Sequence, residues 1–341
     1  MDPKMKVLVT GGCGYIGSHT IVDLVQNGYD VISADNLVNG SEDVLAGVEK
    51  ITGKKILNNR VDTSDWEAFS GLFEEDPGIR AIIHFAALKS VEESVFHPLK
   101  YYENNIGSIQ NIIRAVDRYD LPHVIFSSSC TVYGNAKELP VTEDTPMGTA
   151  ESPYGATKQV AEIMLANYYL HAGKGSCISL RYFNPAGAHE SALIGESPIN
   201  KASILVPVMT ETAIGKREQM QVFGDDYDTR DGTCVRDYIH VMDLAHAHTK
   251  ALDYLAEGKN AGPYEVFNLG IGEGVTVLEA VRAFERVSGE KLNYRIGPRR
   301  PGDVVAIYAN KDKAEHILGW EPTRNIDDIM ETAWNWEKAR T

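Results

Sequence analysis

The segment "TGGCGYIG", residues 10–17, lies between an apolar run rich in valine and a segment with helical spacing. It contains Gly12-Cys13-Gly14-Tyr15-Ile16-Gly17, which fits the pattern G-x-G-x-x-G. That pattern is weak alone, but here it follows a predicted strand and opens a predicted helix. Glycines allow a tight turn, and a helix N-terminus offers free N–H groups to a pyrophosphate. We therefore predict a dinucleotide site in an N-terminal βαβ unit.

An acidic residue follows the second predicted strand. Asp35 ends the run "DVISAD", and it follows the glycine loop at about the twenty-residue distance typical of dinucleotide-binding folds. A carboxylate there can accept hydrogen bonds from ribose hydroxyls and would repel a 2′-phosphate. No arginine follows within "DNLVNGS" to bind such a phosphate. The sequence therefore favours NAD over NADP.

Strands alternate with helical segments through the first half of the chain. The predicted strands are "KVLVT", "DVISAD", "KILNNRVD", "AIIHFAA", "HVIFSSS" and "SCISLRYFN". This alternation predicts an α/β fold with a Rossmann-type doubly wound parallel sheet over residues 1–184. Longer, turn-rich loops follow, so we predict a smaller C-terminal α/β substrate-binding lobe over residues 185–341. Segments near 237–272 are expected to return to the first domain, which makes this lobe discontinuous.

Composition excludes several classes of partner. The 341 residues carry a formal net charge of −15, which disfavours nucleic acid and anionic membranes, because both need a basic face. No apolar run approaches a membrane span, and the N-terminus lacks the pattern of a signal peptide. The four cysteines are far apart and form no CxxC pair, so we predict small buried thiols, no metal site and a cytoplasmic location.

A tyrosine and a lysine lie four residues apart in "SPYGATK", residues 152–158. Ser152 is a good N-cap and Pro153 suits the first helical position, so Tyr154 and Lys158 should share one helix face. The helix end, the lysine charge and a nicotinamide cation could lower the phenol pKa from ~10 to where it acts as a base. The helix is predicted to bury an apolar stripe of Val160, Ile163, Met164 and Asn167–Tyr168.

The chain contains a second pair with the same spacing, Tyr133 and Lys137. Its surroundings are polar and broken by proline, so we predict a loop, with Tyr133 structural or part of a pocket wall. The serines of "FSSSCTVYG" follow an apolar strand and should emerge at its carboxyl end, where ligands bind in such sheets. One of these hydroxyls could bridge the substrate and Tyr154, while others could cap a turn.

These motifs resemble the extended short-chain dehydrogenase/reductases and, within them, the UDP-glucose 4-epimerase family. The resemblance runs from Val7 to Trp320 and includes "VTGGCGYIGSHT", "HFAALKSVEESV", "FSSSCTVYG", "SPYGATK", "LRYFNPAGAH", "DGTCVRDYIHVMDLA" and "PRRPGDV". It implies an enzyme with tightly bound NAD that reversibly epimerises UDP-glucose and UDP-galactose at C4, through a 4-keto intermediate, in galactose metabolism. It also implies a homodimer, for which the helices near Tyr101 and Pro153 are candidate faces, although their apolar stripes could equally serve the core.

The resemblance also assigns residues. Tyr154 resembles the catalytic base, Lys158 the residue that lowers its pKa, and Ser129 the hydroxyl that relays or orients the proton, supported by Thr131. The NAD contacts implied are Gly11, Gly14, Tyr15, Ile16, Gly17, Asp35, Asn36, Leu37, Asn39, Asp62, Thr63, Phe85, Ala86, Ala87, Lys89, Asn104, Tyr154, Lys158, Tyr182 and Phe183. The UDP-hexose contacts implied are Ser129, Tyr154, Asn184, Leu205, Gln221, Val222, Phe223, Arg236, Arg300, Asp303 and Ile307. Arg236 and Arg300 also suit a diphosphate on chemical grounds, because a guanidinium group can bind phosphate oxygens with two hydrogen bonds.

Two positions depart from the family pattern. "ASILVP" replaces a segment in which the family often has an amide that reaches the diphosphate, and Ile204 stands in its place. Ile307 aligns with a gate whose size controls entry of N-acetylated sugars. Isoleucine is shorter than the tyrosine that closes this gate, so we predict activity on UDP-GlcNAc and UDP-GalNAc as well.

Other functions are weighed by the same residues. Sugar 4,6-dehydratases carry an acid pair after the serine or threonine, whereas this chain has Cys130, Thr131 and Val132. A related NAD enzyme that prefers UDP-GlcNAc or a uronate remains an alternative. A silent nucleotide-binding protein on the same fold is disfavoured, because mere binding needs neither Ser129 nor the tyrosine–lysine pair.

Overall fold

A seven-stranded parallel sheet forms the centre of the computed structural model, which describes residues 4–171, 173–199, 202–300 and 302–341. Its strands are β1 (Lys6–Thr10), β2 (Asp30–Ala34), β3 (Asn58–Asn59), β4 (Ile79–His84), β5 (His123–Ser129), β6 (Ser176–Tyr182) and β11 (Tyr264–Leu269). Smaller sheets are formed by β7 (Asn184–Ala186), β8 (Met220–Phe223), β9 (Val235–Arg236), β10 (Tyr238–His240), β12 (Val275–Thr276), β13 (Tyr294–Gly297) and β14 (Ala306–Ile307).

The helices are α1 (Tyr15–Gln26), α2 (Asp43–Thr52), α3 (Trp66–Glu75), α4 (Val91–Phe96), α5 (Pro98–Tyr101), α6 (Gly107–Tyr119), α7 (Pro153–His171), α8 (Leu205–Ala213), α9 (Val241–Ala256), α10 (Val277–Ser288) and α11 (Ile326–Ala339). A π-helical turn over Tyr102–Ile106 joins α5 to α6, and another spans Ala314–Leu318. A 3-10 turn over Cys130–Tyr133 follows β5 directly.

The sheet order is β3-β2-β1-β4-β5-β6-β11, and every pairing in it is parallel. After β3 the chain crosses to the other side of β1, where β4 begins the second half of the sheet. This switch point opens a crevice at the carboxyl ends of β1 and β4, which is where open α/β sheets bind ligands. The predicted α/β fold with a doubly wound parallel sheet is confirmed.

Both faces of the sheet are covered, which explains why its strands read as continuous apolar runs. Successive side chains of β1 point to opposite faces. Val7 and Val9 pack into a core with α1 and α9, whereas Leu8 packs into a core with α3, α6 and α7. All three are fully buried.

Two segments from beyond residue 184 complete this arrangement. β11 pairs with β6 at one edge of the seven-stranded sheet, and α9 packs along α1. Trp320 is fully buried in the same core, and its indole Nε1 donates to the carbonyl oxygen of Asp243 on α9. Three parts of the chain beyond residue 184, namely α9, β11 and Trp320, therefore pack against the first domain.

The second lobe has its own core. α8, α10 and α11 enclose side chains that include Met209, Phe284, Ile329 and Trp334. β8 pairs with β13, and β9 lies between β12 and β14. Within the described part of the chain, no helix is long and apolar enough to cross a membrane. The four cysteines, all described, are unpaired, and the cytoplasmic location stays a prediction.

The apolar stripe predicted for α7 lies only partly in the core, where Met164 and Tyr168 are half-buried. The helix buries Ala161, Leu165 and Tyr169, whereas Ile163 is half exposed. The buried face is the one that carries Lys158, because residues three and four apart on a helix share a face. It also includes the charged residue Glu162, which the apolar pattern could not predict.

Candidate active site

The glycine loop leaves room for backbone alone. Gly11 has a φ of +72°, and a Cβ there would lie 2.8 Å from the backbone nitrogen of Ala86 at the end of β4. A Cβ on Gly17 would collide with the carbonyl oxygen of Gly11. α1 begins after Gly14, which has no side chain to cap the helix. The N–H groups of the first helical turn are therefore available to an anion.

Asp35 lies immediately after β2, and its carboxylate fastens the glycine loop. One oxygen accepts from the backbone N–H of Cys13 at 3.1 Å, and the other accepts from the N–H of Leu37 at 2.8 Å. Burial raises the pKa of this carboxyl group, while the two backbone hydrogen bonds oppose the rise. Each oxygen retains a second lone pair for a ribose hydroxyl.

The other residues predicted to bind the dinucleotide surround the same crevice or the segments next to it. Asn36 donates to Asp62 at 3.2 Å, and the hydroxyl of Tyr15 donates to the carbonyl oxygen of Gly187 at 2.7 Å. Lys89 lies 3.6 Å from Glu196. The remaining positions are Ile16 in α1, Leu37 and Asn39 after β2, Thr63 before α3, Phe85 to Ala87 after β4, Asn104 in the π-helical turn, Tyr182 at the end of β6, and Phe183 after it.

The tyrosine and the lysine lie at the start of α7. The hydroxyl of Ser152 accepts from the backbone N–H of Gly155 at 3.1 Å, so the predicted N-cap is present. Lys158 Nζ donates to the carbonyl oxygen of Ser127 at 2.6 Å and lies 5.9 Å from the centre of the Tyr154 ring. Ser129, at the carboxyl end of β5, interacts with Tyr154 through its hydroxyl. The predicted catalytic residues are thus brought together.

Burial dominates the charge states of this pair. It raises the pKa of Tyr154 to about 12, against a smaller opposing interaction with the Ser129 hydroxyl. It lowers the pKa of Lys158 to about 8, and the charge of Glu162 opposes this shift. The expected lowering of the Tyr154 pKa is therefore not produced by the protein alone. A positive charge bound next to the phenol would favour its ionised form.

The competing pair is structural, as predicted. Tyr133 is buried, and its hydroxyl donates to Asn268 at 2.6 Å and accepts from Arg181 at 2.9 Å. Lys137 is exposed on the loop that follows. The two pairs share a spacing but not a helix, since only Tyr154 and Lys158 lie on consecutive turns of α7.

Sequence reasoning missed a buried ion pair below the site. Arg181 on β6 and Glu162 on α7 are both buried, with 2.7 Å between Nη2 and Oε2. Ser128 on β5 donates a hydrogen bond to the same carboxylate. Two signals were available: an arginine inside an apolar strand, and an acid one helical turn after Lys158.

Three of the predicted sugar-nucleotide residues form a charged group on the second lobe. Asp303 lies 2.8 Å from Nη2 of Arg300 and 3.5 Å from Nη2 of Arg236. The Arg300 guanidinium also lies 5.5 Å from the ring centre of Phe223. Two cations share one carboxylate, so the group keeps a net positive charge for a phosphate.

Other predicted sugar-nucleotide residues have different surroundings. The side-chain oxygen of Asn184 is buried without a hydrogen-bond partner, which a ligand would supply, and so is the hydroxyl of Thr131, which was predicted to support catalysis by Ser129. Ile307 is buried with Tyr133 and Phe183 and pairs with Arg236 in register. The rest are Leu205 at the start of α8, Gln221 and Val222 on β8, and the departing residue Ile204, which is exposed just before α8.

The fold and the site together define a class of protein. A glycine turn after β1, an acid after β2, a serine at the end of β5 and a Tyr-x-x-x-Lys helix occur together in the extended short-chain dehydrogenase/reductases. These are dinucleotide-dependent enzymes with a smaller C-terminal substrate lobe.

Known proteins narrow this class. The model of the family described as GDP-mannose 4,6 dehydratase matches residues 8–333. The UDP-glucose 4-epimerase of Bacillus subtilis (strain 168) is 47% identical over 335 residues, which cover 98% of this chain and 97% of that one.

Solved structures point the same way. UDP-glucose 4-epimerase from Bifidobacterium longum, in complex with NAD+ and UDP, gives a TM-score of 0.94 at 44% identity and 98% coverage of both chains. That from Stenotrophomonas maltophila, with NAD and formylated UDP-arabinopyranose, gives 0.95 at 42% identity, again with 98% of both chains covered. The chain belongs to the UDP-glucose 4-epimerase family.

Gly17→Ala should weaken dinucleotide binding, because the added methyl group collides with the Gly11 carbonyl oxygen and shifts the loop. Overpacking of this kind costs about 1–3 kcal/mol, so we expect affinity to fall roughly tenfold or more. The measurement is the amount of NAD retained on purification, followed by titration. Gly71→Ala in α3 is the matched control, since a Cβ there meets nothing within 4 Å. Equal NAD retention by both variants would contradict the prediction.

Proposed function

We propose that this enzyme interconverts UDP-glucose and UDP-galactose with tightly bound NAD. The observation that carries the proposal is the position of Tyr154, Lys158 and Ser129 at the carboxyl end of the sheet, in a chain of this family. NAD fits the residues present: the loop at Gly11 and Gly17 excludes side chains, and Asp35 has free lone pairs. When bound, NAD would accept a hydride from the sugar and return it.

Tyr154 is the proposed acid and base. Its phenolate takes the proton of the sugar 4-hydroxyl as that carbon is oxidised, and the resulting phenol gives the proton back when the 4-ketose is reduced on its other face. The Ser129 hydroxyl, which interacts with Tyr154, would hydrogen-bond to the same sugar 4-hydroxyl and orient its proton. Lys158 stabilises the phenolate electrostatically, and only one of its three N–H donors is used by Ser127.

Arg236 and Arg300 are the proposed diphosphate contacts. Guanidinium groups bind phosphate oxygens with two parallel hydrogen bonds. Asp303 contacts both arginines and so holds the two guanidinium groups close together. Two apolar residues of the same lobe are also proposed contacts: Phe223, which lies against the Arg300 guanidinium, and Leu205, which packs on the core of the lobe. Asn184 offers an unused buried acceptor to a substrate hydroxyl.

Tyr154→Phe should lower kcat for UDP-galactose by about 100- to 10,000-fold, the usual contribution of an acid–base group. The enzyme is assayed without added NAD, and both sugars are separated and counted. Tyr133→Phe is the control, because its hydroxyl belongs to a structural network, and its kcat should stay near wild type. Wild-type enzyme that retains NAD but turns over no UDP-sugar would instead support a silent binding protein.

We further propose that the enzyme epimerises UDP-GlcNAc and UDP-GalNAc. Ile307 is shorter than tyrosine and is buried beside Phe183 and Tyr133. A larger side chain there would intrude on the pocket. Product analysis with UDP-GlcNAc should find UDP-GalNAc, and Ile307→Tyr should lower this activity about 10- to 200-fold while UDP-galactose is still converted. Ile317→Tyr, on an exposed turn, is the control. Failure of wild type to convert UDP-GlcNAc would refute the proposal.

We propose that two copies of the chain pair through α4, α5 and α7. Val95, Phe96 and Leu99 are 56%, 72% and 73% exposed, and Ile163 of the neighbouring α7 is 51% exposed. Exposed apolar residues on adjacent helices mark protein interfaces. α6, which begins at Gly107 after the π-helical turn, directs its large apolar side chains inward.

Leu99→Glu should weaken this pairing roughly 30-fold or more, as expected for a central apolar contact. The measurement is mass by sedimentation at several concentrations, with wild type expected at twice the chain mass. Leu57→Glu is the matched control, since Leu57 is 68% exposed outside these helices. A monomeric wild type, or a Leu99→Glu dimer as tight as wild type, would overturn the proposal.

A further inference from the structure

A buried histidine contacts two of the residues predicted to bind the cofactor. His248 of α9 is fully buried. Its ring centre lies 5.3 Å from that of Tyr182 and 4.8 Å from that of Phe85. Both aromatic residues are at carboxyl ends of sheet strands, Tyr182 at the end of β6 and Phe85 just after β4. None of the roles described above involves His248.

The hydrogen bonds of His248 determine its tautomer. Nδ1 lies 2.8 Å from the carbonyl oxygen of Leu244, which can only accept, so Nδ1 carries the hydrogen. Burial lowers the pKa of the imidazole to about 4, so the ring is neutral near pH 7. Nε2 is therefore a lone pair. It faces the hydroxyl of Tyr182, which must be the donor in the hydrogen bond between them.

This arrangement fixes the role of the Tyr182 oxygen. A phenol has one hydrogen, and here the hydrogen is given to Nε2 of His248. Toward the site, the oxygen can therefore only accept. Tyr182 pairs with Ser129 in the sheet register, which places it beside Ser129 at the carboxyl ends of β5 and β6. Burial raises the pKa of Tyr182, the hydroxyl of Ser127 opposes the rise, and the charge of Tyr154 adds to it.

We propose that His248 is a positioning residue of the cofactor pocket. By accepting the Tyr182 hydrogen, it presents the Tyr182 oxygen as an acceptor for an N–H donor, of the type found in the carboxamide of a nicotinamide ring. The same imidazole packs against Phe85 and so supports two walls of the pocket. The inference rests on the proposed function, because it takes NAD as the ligand of this crevice.

The first test is a double-mutant cycle on NAD release. His248→Leu should release bound NAD about tenfold faster than wild type, since the freed Tyr182 hydroxyl can turn its hydrogen to the site. Tyr182→Phe should have a similar effect. The double variant should then release NAD no more than about threefold faster than Tyr182→Phe, because coupled residues are not additive. Additive effects would overturn the proposal.

Two further variants separate positioning from packing. His248→Gln offers a side-chain oxygen to the Tyr182 hydroxyl, so it should keep NAD nearly as well as wild type. His246→Leu is the matched control, because that histidine is on the same helix but 41% exposed. If His248→Leu fails to fold, judged by thermal unfolding, His248→Gln and Tyr182→Phe still carry the test. Loss of NAD by His248→Gln, with an intact fold, would contradict the inference.

A cofactor analogue provides an independent measurement. 3-Acetylpyridine adenine dinucleotide has a methyl ketone in place of the carboxamide and lacks its N–H donors. Wild type should prefer NAD over this analogue, and the preference should fall about fivefold in His248→Leu and in Tyr182→Phe. An unchanged preference would overturn the proposal. Turnover of UDP-galactose by wild type is measured in parallel, since its failure would refute the proposed function itself.

Discussion

The site depends on one buried hydrogen bond, between the ammonium group of Lys158 and the carbonyl oxygen of Ser127. It joins the first turns of α7 to the carboxyl end of β5. With Lys158 fastened there, Tyr154 one turn earlier must lie against Ser129, two residues further along the strand. The spacing of four residues on a helix and two on a strand brings together groups from distant parts of the sequence.

Burying an ammonium group costs free energy unless neighbouring groups compensate for its charge. Such groups surround Lys158. Glu162 lies one turn beyond Lys158 on the same helix, and Arg181 on β6 pairs with that carboxylate. Ser128 adds a hydrogen bond from β5. These buried polar contacts connect α7 with two strands of the sheet, β5 and β6. Burial lowers the pKa of Lys158 to about 8, and the charge of Glu162 in this group opposes the shift.

Sequence reasoning succeeded where chemistry leaves a local pattern. The turn of the glycine loop, the position of Asp35 after β2, the cap at Ser152 and the helix that carries Tyr154 and Lys158 all depend on neighbours within a few residues. The features that sequence reasoning missed or predicted incorrectly depend on contacts between residues that are distant in the sequence. The buried face of α7 includes Glu162 because its partner Arg181 lies on another strand. The Tyr154 pKa is raised by burial, which no spacing reveals. His248 gains its place through Leu244, Tyr182 and Phe85, which only the folded chain assembles.

The order of the sheet has a consequence for the nascent chain. β6 ends at Tyr182, but its outer neighbour β11 begins at Tyr264, after about half of the residues beyond 184 have been made. At synthesis rates of about 5–20 residues per second, an unpaired strand edge is therefore exposed on the ribosome for several seconds. Folding of the dinucleotide domain must wait for, or be shielded until, a segment encoded far downstream. Truncation anywhere before residue 264 would leave that edge permanently open to other chains.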